Sequence, residues 1–414
     1  MRIAVLGAGL AGVTAAWYLQ EDGHEVTVVD RQPDAALETS FANAGLISTG
    51  HAFAWASPRA VRIMLKSVFL RDQPLRFRLS ADPAFWRWTL KFLRECTTER
   101  AHANTRIKHR LCRYAEQVLH DLIARTGIAC DQERRGLLYV HRTQESLERG
   151  IVNMRIMEDG GHEIEVVDRD RAAAIDPALA PSKGKIAGGI YCPTDGSGDA
   201  HKFTQALAAL CAERGVRFLF GTTVQRLEAA GERIERAVTD RGELAAEVYV
   251  LALGSYSPLL TRPLGEQVPV YPIKGYSVTI PMNGANGAPT IGGIDEDNLC
   301  AYVRLGNRVR VTSVAEFAGY DTSYRPSDFR SMLSALRDLY PNAGDFSQPR
   351  YWACLRPMTP DGPPIVGRGR YRNLYYDTGH GHMGWTMSCG TARITADLIA
   401  GRAPEVPLDG LTLR

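Results

Sequence analysis

The 414-residue sequence predicts an α/β protein in which a parallel-sheet domain is interlaced with a second domain built on a mixed sheet. Three observations carry this prediction. Strand-like and helix-like segments alternate along the chain. A strand, a glycine-rich turn and a helix open it in "IAVLGAGLAGVTAAWYL". Two later strands, near residues 250 and 375, also run directly into glycines.

In the first unit, Ile3 to Leu6 reads as a short buried strand. Gly7, Gly9 and Gly12 then spell G-x-G-x-x-G, and Ala11 to Gln20 reads as a helix stopped by Gly23. Glu25 to Val29 is a second strand, closed by Asp30 and Arg31. Each part has a physical job in a Rossmann-like dinucleotide site. Gly7 makes the tight turn, Gly9 lets backbone approach a pyrophosphate, and Gly12 lets the helix pack against the strand. The helix start at Leu10 and Ala11 offers free N–H groups and a partial positive charge to phosphate. Asp30, eighteen residues past Gly12, stands where a carboxylate accepts from ribose hydroxyls. An acid rather than a base at that point argues for FAD or NAD over NADP.

Two later segments favour FAD. Gly215 to Glu228 reads as strand, turn and strand, with Val224 beside the adenine side of the nucleotide. Ala246 to Leu260 is a strand running into Gly254 and Ser255, some 240 residues after the first unit. That spacing suits an FAD domain whose chain leaves and returns. The third strand–glycine–helix unit is "YYDTGHGHMGWTMSCG". Asn373 to Asp377 is its strand, Thr378 to Gly381 its loop, and Trp385 to Leu398 its helix, with Gly401 as the stop. Negative charge grows at N1–C2=O of a flavin on reduction, and a helix start stabilises it. Close backbone approach accounts for Gly379, Gly381 and Gly384. His380 and His382, at i and i+2, cannot share a helix face, and no third ligand is near in sequence, so no metal is expected. A hydrogen-bonding His beside the flavin is the plainer reading, and a catalytic His the alternative.

Composition sets the outer bounds. Hydrophobic residues make up 45% of the chain, ample for two or three domains. Eight Cys are scattered without a C-x-x-C pair, so neither a zinc ribbon nor a dithiol motif is indicated. The reducing cytoplasm is the expected compartment. The opening residues lack a cleavage site, and no apolar run reaches the roughly 20 residues that span a bilayer. The net charge of +3 says little by itself, and no nucleic-acid partner is expected.

Five segments together resemble the D-amino acid oxidase-like superfamily of FAD enzymes, and within it the bacterial D-amino acid dehydrogenases. They are "GAGLAGVTAAWYL", "ETSFANAG" (Glu38 to Gly45), "PIKGYSVTIP" (Pro272 to Pro281), "LRPMTPDGPPIVG" (Leu355 to Gly367) and "TGHGHMGWTMSCG" (Thr378 to Gly390). The first is shared by many flavoproteins; the others, in this order, are more specific. The resemblance implies that Thr39, Ser40, Ala42, Asn43, Ala44 and Gly45 wrap the pyrophosphate and the flavin edge. It implies that Gly379, His380, Gly381, Met383, Gly384, Trp385 and Thr386 line the flavin. It also implies that Arg356, the arginine of "LRP", binds a substrate carboxylate. The chain departs from the family where "LISTGHAFAW" stands for the common I-S-P-G-Y, putting Thr49 and His51 in the Pro and Tyr places. Met383 stands where Leu is common. These departures lie near substrate entry and bear on substrate range rather than on the cofactor.

The implied organisation is discontinuous, with 1–55, 195–262 and 352–414 binding FAD and 56–194 and 263–351 forming the substrate domain. The implied activity is oxidative deamination of D-amino acids in amino-acid catabolism. Hydride passes to the flavin, so no side chain is required as a certain catalytic group. Arg356 suits a bidentate carboxylate clamp. Tyr276 can add a phenolic hydrogen bond, with His51, Tyr271 and Tyr256 as further candidates. Lys274 either approaches the flavin through a water or faces solvent. Two alternatives remain: an oxygen-using oxidase of glycine, sarcosine or another secondary amine, and a non-catalytic flavin subunit of a larger complex.

Between Trp55 and Tyr114 stand fourteen Lys and Arg against four Asp and Glu, a local net of +10 in a chain of +3. Trp55, Phe69, Phe77, Phe85, Trp86, Trp88 and Phe92 interleave with them. Such a segment can lie on an anionic membrane, or it can be a solvated lid whose aromatics are core. The resemblance implies quinone or another non-oxygen acceptor, and hence peripheral contact with the inner membrane.

Overall fold

The computed structural model describes residues 1–69, 75–78, 80–284 and 286–414, the side chains of 65–69 excepted. Strand β1 (Arg2–Leu6), helix α1 (Leu10–Glu21) and strand β2 (Glu25–Val29) form the opening unit. β1 pairs in parallel with β2 on one side and with Val248–Leu251 on the other. Among the described residues the sheet has six strands, in the order Ile365–Arg368, Leu374–Thr378, Val248–Leu251, β1, β2, Arg217–Leu219. Only Ile365–Arg368 runs antiparallel within it.

The central strands are apolar in succession because both faces are covered. Ile3 and Val5 pack with α1 and with the helices Ala200–Glu213 and Gly384–Ile399. Ala4 and Leu6 pack on the opposite side with Leu227, Ile234 and Tyr249, under a three-stranded antiparallel sheet. Each such buried aliphatic side chain contributes about 1.5–3 kcal/mol relative to exposure. The third unit differs from expectation by one residue at each end of its strand and of its helix, which run Leu374–Thr378 and Gly384–Ile399.

A second sheet has nine strands among the described residues and is mixed. At its edge Arg350–Met358 pairs with Tyr271–Pro281, which pairs in turn with Arg308–Phe317. The last pairing slips: Gly275 faces Ala315 but Tyr276 faces Ser313, leaving Val314 as an extra residue in a bulge. Val314 has φ of 63°, a conformation costly for a β-branched residue.

Three helices cover this side: α2 (Pro58–Phe69), α3 (Pro83–Glu95) and α4 (Thr98–Thr126). α3 starts with Pro83 behind an Asp82 cap whose carboxylate accepts from Ala84 N at 2.8 Å. α4 is capped by Thr97 and stopped by Gly127 in the left-handed conformation. Phe85, Trp88 and Phe92 are buried, as a lid with core aromatics requires, whereas Trp86 is exposed. Residues 70–74 and 79 of the basic stretch, and the Phe69 side chain, lie outside the described residues.

Candidate active site

A cavity of about 1130 Å³ lies between the two sheets, at the glycine ends of β1, Val248–Leu251 and Leu374–Thr378. It exceeds the roughly 300–1,000 Å³ usual for a single small ligand. Its wall brings together Gly7, Gly9, Leu10, Ala11, Asp30, Arg31, Thr39, Ser40, Ala42, Asn43, Ala44, Gly45, Val224, Gly254, His380, Gly381, Gly384 and Trp385. His51, Tyr276 and Arg356 line it too. Gly12, Gly379, Met383, Thr386 and Tyr271 do not; they stand behind the wall.

Gly7 and Gly12 are fixed by the protein itself. Gly7 has φ of 110° and a Cβ there would lie 2.6 Å from Ala252 O; a Cβ on Gly12 would lie 1.9 Å from Gly7 O. Gly9 is different, because its Cβ would meet only Ser40 Oγ, at 3.6 Å, and would otherwise point into the cavity. α1 and Gly384–Ile399 both begin in the cavity wall, and neither start has a side-chain cap. Two positive helix ends therefore converge on one space, with Leu10 N at the first already donating to Ser40 Oγ. Trp385 Nε1 is buried without a partner in the same wall. These features fit FAD: backbone donors for phosphate, a glycine that leaves room for it, and an orphan donor at the flavin end.

Asp30 accepts from Ala8 N at 2.6 Å and Gln32 N at 2.8 Å, so it braces the glycine turn as well as facing the cavity. Burial pushes its carboxyl up, partly offset by these bonds. Arg31 pairs with Glu38 at 2.6 Å and lies 4.0 Å over the Tyr256 ring. Ser40 Oγ accepts from Leu10 N at 3.1 Å, and Thr39 Oγ1 donates to Leu355 O at 2.9 Å. The Asn43 side chain accepts from Gly45 N at 3.0 Å. Thr386 Oγ1 accepts from Ser48 N at 3.2 Å, which ties the third unit to the "LISTGHAFAW" segment.

Arg356 has a seat made of backbone. Its Nη1 donates to the carbonyl of the bulge residue Val314 at 2.7 Å, and its guanidinium lies over Gly275, where a Cβ would come within 2.5 Å of Cζ. No carboxylate among the described residues forms an ion pair with it, and burial lowers its pKa. An arginine in a cavity wall with no anion of its own is prepared for one that arrives.

Two expected substrate contacts are corrected. Tyr276 reaches the wall with its ring, but its hydroxyl is committed to the buried Glu316 carboxylate. Burial first, and then Glu316, raise the Tyr276 pKa. Tyr271 packs with Phe85, Trp88 and Phe317 in an aromatic cluster, behind the part of the wall that Trp88 and Phe317 form. Lys274 does not face solvent: it is fully buried, donates to Ser323 O and lies 3.7 Å from Asp321.

The two histidines of the third unit separate. His380 Nε2 meets Thr391 Oγ1 at 2.8 Å and Asp377 at 3.2 Å, a structural arrangement. His382 lines the cavity, stacks on Trp55 at 4.8 Å, and has a buried Nε2 without a partner. Burial, then the charges of Lys108, His51 and Arg356, hold its pKa well below the usual imidazole range, so it is neutral. Sequence reasoning missed Trp55 and Glu296 as wall residues. Glu296 had no local signal, since its partner His51 is 245 residues away. Behind His51, His162, Cys192 and Asp195 bring ligand-type atoms within 4.8 Å of one another. Gly50 packs among them, and a Cβ on it would lie 2.6–2.9 Å from all three.

The family model described as FAD dependent oxidoreductase matches residues 2–398, and the chain belongs to that family. It is an enzyme whose cofactor is FAD. D-amino acid dehydrogenase 2 of Mesorhizobium japonicum is 48% identical over 412 residues, covering 99% of each chain. D-amino acid dehydrogenase of Agrobacterium fabrum is 46% identical over 413 residues, covering 100% of this chain and 99% of its own. Among solved structures, L-proline dehydrogenase from P. horikoshii superposes with a TM-score of 0.75 at 19% identity, covering 100% of this chain and 96% of that one. Glycine oxidase from Geobacillus kaustophilus gives 0.74 at 22%, covering 100% and 98%. At these identities the structures speak to fold alone.

Proposed function

We propose that this enzyme oxidatively deaminates D-amino acids to 2-oxo acids and ammonia and passes the electrons to a quinone or another non-oxygen acceptor. The observation that carries the reading is Arg356, a half-buried guanidinium in the cavity wall with no carboxylate partner among the described residues. The full-length likeness to proteins named D-amino acid dehydrogenase supports the substrate class.

When bound, FAD supplies the two-electron acceptor. The chain's part is binding, orientation and exclusion of water. The glycine turn at 7–12, the 39–45 segment and the start of Gly384–Ile399 hold the cofactor through backbone. Arg356 grips the substrate α-carboxylate, and Val314 O and Gly275 fix the guanidinium that does so. Trp55, Trp88 and Phe92 give this part of the wall an aromatic, water-excluding surface. The division into 1–55, 195–262 and 352–414 for cofactor and 56–194 and 263–351 for substrate is supported by strand membership. The six-stranded sheet falls wholly in the first set, and the nine-stranded sheet in the second except for Arg350–Met358. Arg356 therefore rides on the substrate-side sheet.

α3 supports the location. No helix among the described residues is long and apolar enough to cross a membrane. The outer face of α3, however, exposes Trp86, Leu90 and Leu93, spaced as one helical stripe, beside the exposed Arg87, Lys91 and Arg94. An apolar stripe flanked by cations suits an anionic lipid surface, which supports a cytoplasmic enzyme docked on the inner membrane.

Anaerobic mixing with a panel of D- and L-amino acids tests the reading. D-amino acids should bleach the flavin and artificial dyes should reoxidise it. Bleaching only by glycine or secondary amines, with stoichiometric peroxide in air, would replace the reading with an oxidase.

A further inference from the structure

His51 stands in the cavity wall as half of a pair. Its Nε2 is 2.9 Å from Oε1 of Glu296, which also lines the cavity. Tyr139 stacks on the imidazole at 5.3 Å and 23°, and Phe53 meets it edge-on at 5.1 Å. The Tyr139 hydroxyl donates to Asp195 Oδ2 at 2.6 Å, so the stacking ring is itself pinned. The imidazole is thus held with one nitrogen on a carboxylate. Its other nitrogen, Nδ1, makes no hydrogen bond to any described residue.

An α-amino acid in water carries an ammonium group. Its α-hydrogen cannot leave as hydride until nitrogen has a lone pair to close the C=N bond. Resting on the D-amino acid reading above, we propose that His51, oriented by Glu296, takes the proton of the bound substrate's ammonium group. One N–H bond breaks, its electron pair stays on the substrate nitrogen, and the proton joins Nδ1. The α-hydrogen can then depart with its electron pair to the oxidised cofactor, leaving an imine that water hydrolyses. Glu296 is a positioning residue in this scheme and stabilises the imidazolium.

The groups around His51 single it out. Arg59 of α2 and His141 of the strand Leu137–His141 act on Glu296, Tyr139 of that strand stacks on His51, and Arg149 of the helix Gln144–Asp159 acts on His141. Glu116 accepts from Thr49 at 2.6 Å, Lys108 donates to Phe53 O at 2.7 Å, and Asp195, beside His162, accepts from Gly50 N at 3.0 Å. Glu296 is therefore the carboxylate that meets the imidazole. Burial pushes the Glu296 carboxyl up, but His51, His141 and Arg59 outweigh burial and keep it ionised. Of the other histidines in the wall, His380 is engaged by Thr391 and Asp377, His141 by Ser146, and His382 is opposed by Lys108, His51 and Arg356 with no acid acting on it. Arg356, His51 and His382 all line the same cavity, so the carboxylate clamp and the proton acceptor face one space.

The test compares wild type, His51→Gln and Glu296→Gln across pH, with a D-amino acid and an artificial dye. Below neutral pH, His51→Gln should lower kcat/KM by about 100-fold, the low end of a positioned base. The deficit should close to a few-fold where the free amino acid is already an amine. Glu296→Gln should show a smaller deficit with the same recovery. A readout without turnover uses 2-aminoisobutyrate, an α-amino acid with no α-hydrogen, and histidine-labelled protein. The His51 ring signal, assigned by its loss in His51→Gln or His51→Asn, should move to the imidazolium position on binding. A deficit that is the same at every pH, or a His51 that stays neutral with ligand bound, overturns the proposal while D-amino acid oxidation stands. A wild type that oxidises no D-amino acid overturns both.

Discussion

Gly275→Ala separates the clamp from the fold. A Cβ at 275 would lie 2.5 Å from Cζ, 2.7 Å from Nη2 and 2.8 Å from Nε of Arg356. All three contacts are with the far end of one flexible side chain, and none is with backbone. The guanidinium must retreat by roughly 1 Å to reach ordinary contact distance, taken as about 3.5 Å between heavy atoms. The chain can yield there at little cost in stability, but Nη1 then leaves its 2.7 Å bond to Val314 O and the fork no longer faces a carboxylate squarely. A charge-assisted hydrogen bond is worth about 1.5–3 kcal/mol. Losing one such bond should raise KM for D-amino acids by about 10- to 150-fold. The assay is steady-state kinetics with a dye acceptor, beside flavin absorbance per chain and a thermal melt. Wild-type KM in a fully loaded, folded Gly275→Ala enzyme would refute the seat and the clamp together.

Arg356→Ala should leave FAD in place and weaken amino-acid substrates at least as much; loss of the flavin absorbance would assign Arg356 to the cofactor instead. Gly9→Val should fold yet lose FAD, since the new side chain projects into the cavity, and full occupancy measured by absorbance would sink the pyrophosphate reading. Glu116 gives a stability signature in pH. Burial raises its carboxyl to about 7, so the folded state holds a proton that the unfolded state releases. Stability should fall as pH rises from about 4.5 to about 7, by at most about 3 kcal/mol. Urea midpoints of wild type should show that slope and Glu116→Gln should not. Flotation with anionic vesicles should carry the protein at low salt and release it at high salt; replacing Trp86, Leu90 and Leu93 with Ser should abolish it, and unchanged flotation would remove α3 from the docking claim.

The parts of the site legible in the sequence were those with local causes. Gly7 and Gly12 must be glycine because of backbone within the same unit or one neighbouring strand, so their spacing alone announced the turn. The helix starts at Leu10 and Gly384 were visible for the same reason. The tyrosines of "YPIKGYSVTIP" misled because that strand is buried on both faces, and alternation then says nothing about which side meets the cavity. Tyr276 was assigned a free hydroxyl because Glu316, its partner, arrives on another strand. The bulge at Val314 left no mark, since nothing in "RVRVTSVAEF" favours a left-handed residue. The His51–Glu296 pair lay beyond reach because only the folded sheet brings residue 296 to residue 51.

Helix α3 has a consequence that concerns linkage rather than location. Its inner residues Trp88 and Phe92 line the cavity, while Trp86, Leu90 and Leu93 look outward from the same backbone. Trp88 Nε1 donates to Met358 O at 2.8 Å, and Met358 ends the strand that carries Arg356 two residues earlier. Whatever settles on the outer face is one helix thickness, about 10–12 Å, from the cavity. It is also mechanically joined to the strand that carries Arg356. If a surface-bound partner shifts α3 it changes affinity for the amino acid, and reciprocity then requires the amino acid to change affinity for the surface by the same factor.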